Sequence, residues 1–458
     1  MNDGDKAKLY RQIVQRSPDW WVLERMRLHG FWPQDKGLPQ DPPEEAAERQ
    51  RIETELAELR GRHAILEDPE AALKEERQRR IQESRERREA RRQERAEEAR
   101  RRREEWERFK QTTLVHAGLG VSGGLQHTTS DTVRLERNGL PLLHRAEELA
   151  EQMGIPLGRL RWLTYHRRGA AVVHYRRYEI AKKTGGARCI SAPLPALAAA
   201  QQWLLRNVLQ PLAVSPHAHG FVPTRSVVTN AAPHAGKAVV VNLDVRDFFP
   251  SITFRRVKGL FGKLGYSEHI ATVFALLCTE PPRVAVEHES KVYYVALGDR
   301  VLPQGACTSP AITNALCRRL DSRLAGLARR HGFAYTRYAD DLTFSGDEPR
   351  AAGRLLRSVR SILADEGFTE HEQKTRVMRS ARRQEVTGVV VNRRPTIGRR
   401  EYRELRAILH NAAKHGLESQ NRDRRPNFRE HLRGRIAWVA MVDPRKGEKL
   451  REAFARVS

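Results

Sequence analysis

The sequence predicts an α+β fold on three observations. Tyr338-Ala339-Asp340-Asp341 lies between residues 333–337 and 342–346, where apolar or aromatic side chains alternate with small polar ones. A period of two on both flanks is the pattern of a β-hairpin with one buried face. Residues 239–243 form a short, almost continuous apolar strand that runs directly into Asp244. Leu316, Leu320, Leu324 and Leu327 recur at helical spacing and predict an amphipathic helix over 311–330 with its leucines in the core.

Composition bounds the partners. The chain has 458 residues and a formal net charge of +26, which implies a polyanion, because neutralising phosphates releases counterions. No apolar run approaches the roughly 20 residues needed to span a bilayer, so no membrane partner is expected. The charged start, Met1 to Lys8, has no signal-peptide core, which predicts a cytoplasmic protein. Cys189, Cys278, Cys307 and Cys317 are too scattered for a C-x-x-C zinc site and read as reduced packing residues.

Taken in order, residues 1–43 hold an aromatic patch (Trp20, Trp21, Phe31, Trp32) and predict a small helical element. Residues 44–115 are dense in Glu and Arg at three- and four-residue spacing, which supports a solvated helical extension. Gly118-Leu-Gly120-Val-Ser-Gly123 fits GxGxxG, but Gln126 to Asp131 is a poor helix, so a Gly-rich loop is expected and not a dinucleotide site. Residues 178–190 predict a basic hairpin with a Gly-Gly turn, followed by a helix over 197–209. Helices are expected over 255–263 and 269–278, and a hairpin over 283–296. A closing strand over 388–392 and basic helices over 402–417 and 428–439 complete the chain.

Two adjacent carboxylates at a turn repel each other unless a cation neutralises them. Mg²⁺ suits such a tip, since it takes one or two carboxylates and fills its octahedron with water and phosphate oxygens. Asp244, at the end of a buried strand, is the candidate third carboxylate, although 340 − 244 = 96 positions separate it from Asp340. Two metals held by this set can activate a 3′-hydroxyl and stabilise a departing pyrophosphate. Phosphoryl transfer is the chemistry these residues predict.

The chain resembles reverse transcriptases, and most closely those of bacterial retrons. The resemblance rests on Leu243-Asp244-Val-Arg-Asp247-Phe248-Phe249-Pro-Ser-Ile252, on Leu302-Pro-Gln304-Gly305-Ala-Cys-Thr-Ser309-Pro310 and on the YADD box, which match three polymerase motifs in the correct order and spacing. Asn230-Ala-Ala-Pro-His234 fits the retron NAxxH pattern and Val386-Thr387-Gly388 the VTG triplet. It spans roughly residues 116–450 and implies a right-hand polymerase: fingers over 116–215, palm over 216–392, thumb over 393–458.

The resemblance implies roles residue by residue. Asp244, Asp340 and Asp341 would be catalytic and, with the Val245 carbonyl, would hold two Mg²⁺ ions, with Mn²⁺ as a substitute. Arg188, assisted by Lys182 or Lys183, would contact the phosphates of the incoming dNTP. Asp247 would lie beside the triphosphate, Phe248 would orient its backbone N–H or pack, and Phe249 would be the sugar gate that favours dNTPs. Gln304 and Gly305 would lie against the nucleotide. Lys374 is either a general acid near the leaving group or a solvated lysine. Asn230, His234, Val386, Thr387 and Gly388 would read RNA, while Trp438 either stacks on a base or packs. A noncoding RNA would be both template and primer, its DNA product a branched hybrid, and a separate effector protein a further partner in anti-phage defence. The rival readings are a group II intron-like reverse transcriptase and a non-catalytic RNA-binding scaffold.

Overall fold

The computed structural model describes residues 3–37, 42–181 and 186–457. Lys182, Lys183 and part of the expected Gly-Gly turn lie outside the described residues. The chain divides into two compact units, Met1–Glu104 and Glu105–Ser458.

The first unit is helical, with Asp3–Arg16, Pro18–Leu28 and Pro43–Glu67, and the start of the long helix Pro69–Thr112. Ion pairs at three- and four-residue spacing run along the last, such as Arg80–Glu76 at 3.0 Å and Arg102–Glu98. Trp32 caps the aromatic patch by donating its indole N–H to the Gly37 carbonyl at 2.9 Å.

In the second unit a four-stranded antiparallel sheet organises everything else. Its order is Phe333–Tyr338, Asp341–Gly346, Val239–Asp244, Arg376–Arg379. The strand Val239–Asp244 is apolar apart from Asn242 and Asp244 because both its faces are covered. Val239, Val241 and Leu243 enter one core, built with helices Phe254–Leu264, Glu268–Cys278 and Ala352–Asp365. Val240 points the other way, into a second core formed with Leu405, Leu409, Leu432 and Ile436. Period-two alternation thus places one strand at the junction of two cores.

The C-terminal helices are Arg399–His415, Phe428–Val442 and an unanticipated third, Pro444–Ala455. Gly447 allows the last to lie directly on Ala440, where a Cβ would come within 2.3 Å.

Three elements differ from expectation. The helix expected over 311–330 is two helices, Ser309–Leu316 and Arg318–Arg330, joined at Cys317. Thr313 explains the break, for its hydroxyl bonds back to the Ser309 and Pro310 carbonyls, and such side-chain competition bends helices. The strand expected over 388–392 is a two-residue strand, Val389–Val390, paired with Glu385–Val386. Thr387 and Gly388, with φ of 47° and 84°, form the turn, a pair of positive φ values that a tight hairpin turn requires. The helix expected over 197–209 runs Pro195–Leu204 and then widens into a π turn, Leu205–Leu209. The GxGxxG segment is a turn-rich loop in which Gly118 has φ of 115°.

Candidate active site

Three elements bring the carboxylates together. In the sheet register Asp244 lies directly opposite Asp341. The Val245 N–H donates to the Asp340 carbonyl at 3.1 Å, which makes Asp244 and Asp341 a non-hydrogen-bonded pair. Such pairs have Cα atoms only about 4.5 Å apart and side chains on the same face. A third carboxylate, Asp340, sits beside them in the tight turn. The turn is possible because Ala339 adopts φ of 56°.

The electrostatics of the trio are strained toward the neutral form. Burial, then the charges of Asp340 and Asp244, push Asp341 up to about 7. Burial and Asp244 raise Asp340 as well, against a lowering pull from Lys374 and Arg188. Lys374 donates to both oxygens of Asp244, at 2.9 and 3.1 Å. Its segment is fastened by Glu370, 7% exposed, which accepts from Arg360 and from the Thr375 hydroxyl.

Among the described residues, no three His, Cys, Asp or Glu side chains close into a metal cage. The donor set nevertheless fits a divalent ion that keeps several water or phosphate ligands: hard oxygens, half-buried, mutually repelling, and short of cationic charge. A cation entering here would relieve the repulsion that now raises both carboxyl groups.

A pH dependence follows. A free Asp ionises near 3.8, whereas folded Asp341 keeps its proton up to about 7. The native state therefore binds more protons between those values, and metal-free stability declines as pH rises from about 4 to about 7. Asp341→Asn removes the ionisation. The variant is expected to melt above wild type near pH 8 in chelator, and with it near pH 4; equal melting points near pH 8 would refute the assignment.

The tip is braced from behind by residues that sequence reading passed over. Arg337, 1% exposed, pairs with Asp321 through Nε and Nη2 at 2.8 Å each. Its Nη1 reaches the Asn314 side chain at 3.1 Å and the Ala339 carbonyl at 3.3 Å. Asn314 in turn donates to the Gly220 carbonyl. Gly220 lies against the turn, and a Cβ there would come within 2.6 Å of the Ala339 nitrogen. The only signal in the sequence was a single arginine at a position whose neighbours are apolar.

The expected nucleotide residues divide. Arg188 is exposed on the hairpin Tyr175–Ala181/Ala187–Pro193, near enough to act on Asp340. That hairpin is tied to the Gln304–Gly305 segment: the Ser191 N–H donates to the Gln304 carbonyl at 2.7 Å, and a Cβ on Gly305 would strike Ile190 and Ser191. Phe249 is half-buried, against Phe248 and the exposed Phe221 at centroid distances of 5.6 and 6.4 Å. Phe248 is a packing residue, stacked near Phe368 in the core. Asp247 is exposed, with φ of 45°. Lys182 lies outside the described residues.

The residues expected to read RNA are mostly interior. Asn230, His234 and Val386 are each 0% exposed. His234 bonds Ser345 Oγ and Thr336 Oγ1 at 2.7 and 2.8 Å, one on each strand of the catalytic hairpin. Burial holds its imidazole down to about 3, so it stays neutral. The Asn230 amide donates to the Thr387 hydroxyl at 3.4 Å, and a Cβ on Gly388 would lie 3.6 Å from the Trp438 ring. NAxxH therefore links the VTG turn and the C-terminal core to the back of the catalytic hairpin. His234 spends both ring nitrogens on that link, and neither Asn230 nor His234 has surface to offer a ligand.

The family described as reverse transcriptase (RNA-dependent DNA polymerase) matches residues 180–391. The Retron Mx162 reverse transcriptase of Myxococcus xanthus is 44% identical over 370 residues, covering 74% of each chain. The Retron Mx65 reverse transcriptase of the same organism is 45% identical over 326 residues, 71% of this chain and 75% of that one. This chain belongs to the retron reverse transcriptases. The Retron Ec86 reverse transcriptase of Escherichia coli, 33% identical, is covered over 91% of its length. The retron reverse transcriptase described here is thus an RNA-directed DNA polymerase of right-hand architecture, a family that works on template and primer with divalent metal. No helix among its described residues is long and apolar enough to cross a membrane.

Proposed function

We propose that this retron reverse transcriptase copies a structured noncoding RNA that is both template and primer. Synthesis starts at an internal guanosine 2′-hydroxyl and gives a branched RNA–DNA hybrid (msDNA), made in the cytoplasm for anti-phage defence with a separate effector protein. The observation that carries the chemistry is the cross-strand pairing of Asp244 with Asp341 beside Asp340. These carboxylates and the Val245 carbonyl would hold two Mg²⁺ ions, or Mn²⁺ in their place. Bound there, the ions supply charge neutralisation and polarise the reacting phosphate.

The chain's own groups do the rest. Arg188, with Lys182, neutralises the triphosphate of a dNTP, and Phe249 bars a ribose 2′-hydroxyl. Asp247 lines the triphosphate side, while the Gln304–Gly305 backbone, tied to the basic hairpin, sets the floor for the base pair. Lys374, which bonds Asp244, would give a proton to the leaving pyrophosphate. Val386, Thr387 and Gly388 shape the edge that the RNA meets, with Asn230 and His234 holding that edge to the catalytic hairpin. A groove between the C-terminal helices, lined by Arg403, Arg406, Lys449 and Arg456 without any acid, supports a grip on phosphate backbone.

Arg188→Ala is expected to raise the KM for dNTP by roughly tenfold, as loss of a charge-assisted phosphate contact does, with primer–template affinity unchanged. An unchanged KM in steady-state extension assays would remove Arg188 from the site. For the retron-specific step, the protein purified with its RNA is given dNTPs and Mg²⁺. The product should keep RNA attached to DNA after base-specific denaturation, and lose it on treatment with a 2′,5′-debranching enzyme. Free DNA alone would refute internal priming.

A further inference from the structure

A second cavity, of about 320 Å³, opens beside helix Leu157–Thr164, and no residue placed in the polymerase site lines it. At its rim stand two aromatic rings, Trp162 and Tyr165, each 41% exposed. Each carries a guanidinium: Arg159 lies 4.5 Å from the Trp162 ring centroid and Arg167 5.0 Å from that of Tyr165. Neither arginine has an acidic partner among the described residues. Deeper in, the one wall carboxylate, Glu280, is shared by Arg177, Arg283 and Arg300 at 3.4, 2.8 and 3.9 Å. The cavity is therefore cationic even where it is buried.

His174 adds directionality. Its ring meets Trp162 edge-on at 4.3 Å, and its Nε2 lies 2.9 Å from the Trp162 carbonyl. A carbonyl can only accept, so Nε2 carries the hydrogen and Nδ1 is left as a bare acceptor. Burial lowers the pKa of this imidazole, which keeps that tautomer neutral at physiological pH.

Exposed aromatic faces ringed by unpaired arginines suit a ligand that is planar at one end and anionic at the other. A bare acceptor nitrogen selects among planar groups, for it rewards an exocyclic amine. We propose that this cavity binds one nucleotide, with its base against Trp162 and Tyr165, its exocyclic amine donating to His174 Nδ1, and its phosphate on Arg167. An unpaired residue of a single strand and a free mononucleotide present the same chemistry.

Photolabelling separates the two sources and locates the site. The full-length protein is irradiated with 8-azidoadenosine monophosphate, or with a short single-stranded RNA carrying one internal 8-azidoadenosine. Label is expected within residues 162–175. Labelling there by the RNA but not by the mononucleotide assigns the site to a strand; labelling by the mononucleotide assigns it to a free ligand. Arg167→Glu, a surface change that leaves the fold alone, and Trp162→Ala should each cut the yield at this peptide by roughly tenfold, the scale of one lost stacking or phosphate contact. His174→Phe, which keeps the packing, should erase the advantage of oligoadenylate over oligouridylate as competitor. Extension of an annealed DNA primer on a template should stay at the wild-type rate in all three, so failure here is distinct from failure of the polymerase site. Label confined to other peptides, or an unchanged yield in both Arg167→Glu and Trp162→Ala, overturns the proposal.

Discussion

Asp341→Ala and Asp340→Ala are expected to abolish DNA synthesis while leaving RNA binding near wild type. The trio is built on a sheet whose strands are held by their own cores, so removing one carboxylate leaves the scaffold standing. What disappears is part of the concentrated negative charge beside the basic hairpin. A metal at such a site contributes several kcal/mol of transition-state stabilisation, and each 1.4 kcal/mol is about tenfold in rate. The loss should reach roughly three orders of magnitude, read as single-turnover extension with saturating dNTP and Mg²⁺. RNA affinity, measured by filter binding at fixed salt, should hold, because neither residue faces a phosphate-gripping groove. Residual synthesis at a tenth of the wild-type rate would remove the metal role from these aspartates.

The second large effect lies behind the site. Arg337→Met leaves Asp321 as a buried carboxylate with its guanidinium partner gone. Breaking a buried pair from one side costs about 3–5 kcal/mol, a large fraction of the 5–15 kcal/mol that a domain typically has. Urea unfolding should show that loss directly. Arg337→Met with Asp321→Leu removes both charges and should recover much of the stability, short of the penalty for the Tyr335 hydroxyl that Asp321 also accepts from. Polymerase activity should not recover in parallel, because the double variant still lacks the donor to the Ala339 carbonyl that holds the turn. Full recovery of both would mean that Arg337 serves stability alone.

The legible parts of this protein were those with a short-range physical signature. Alternation around YADD gave the hairpin, and the apolar run before Asp244 gave its neighbouring strand. The helices at 254–264 and 268–278 lay where apolar spacing put them. The break at Cys317 was hidden because a Thr hydroxyl bonding its own helix leaves the apolar spacing intact. NAxxH and VTG were recognisable as words, but not the contacts their side chains make inside the fold. A polar residue in a motif looks like a ligand contact in one dimension, and only the fold reveals that its partners are Thr336, Ser345 and Thr387.

By itself, the order of residues determined most of the secondary elements, the appetite for a polyanion and the three acidic groups proposed to do the chemistry. Periodicity and charge are properties that neighbours along the chain express without help. Folding in three dimensions decided that Asp244 faces Asp341, that Arg337 and Gly220 lock the turn, and that His234 is interior. Each of those depends on groups roughly one hundred positions apart meeting in a single register, and no local pattern encodes which partner a strand will choose.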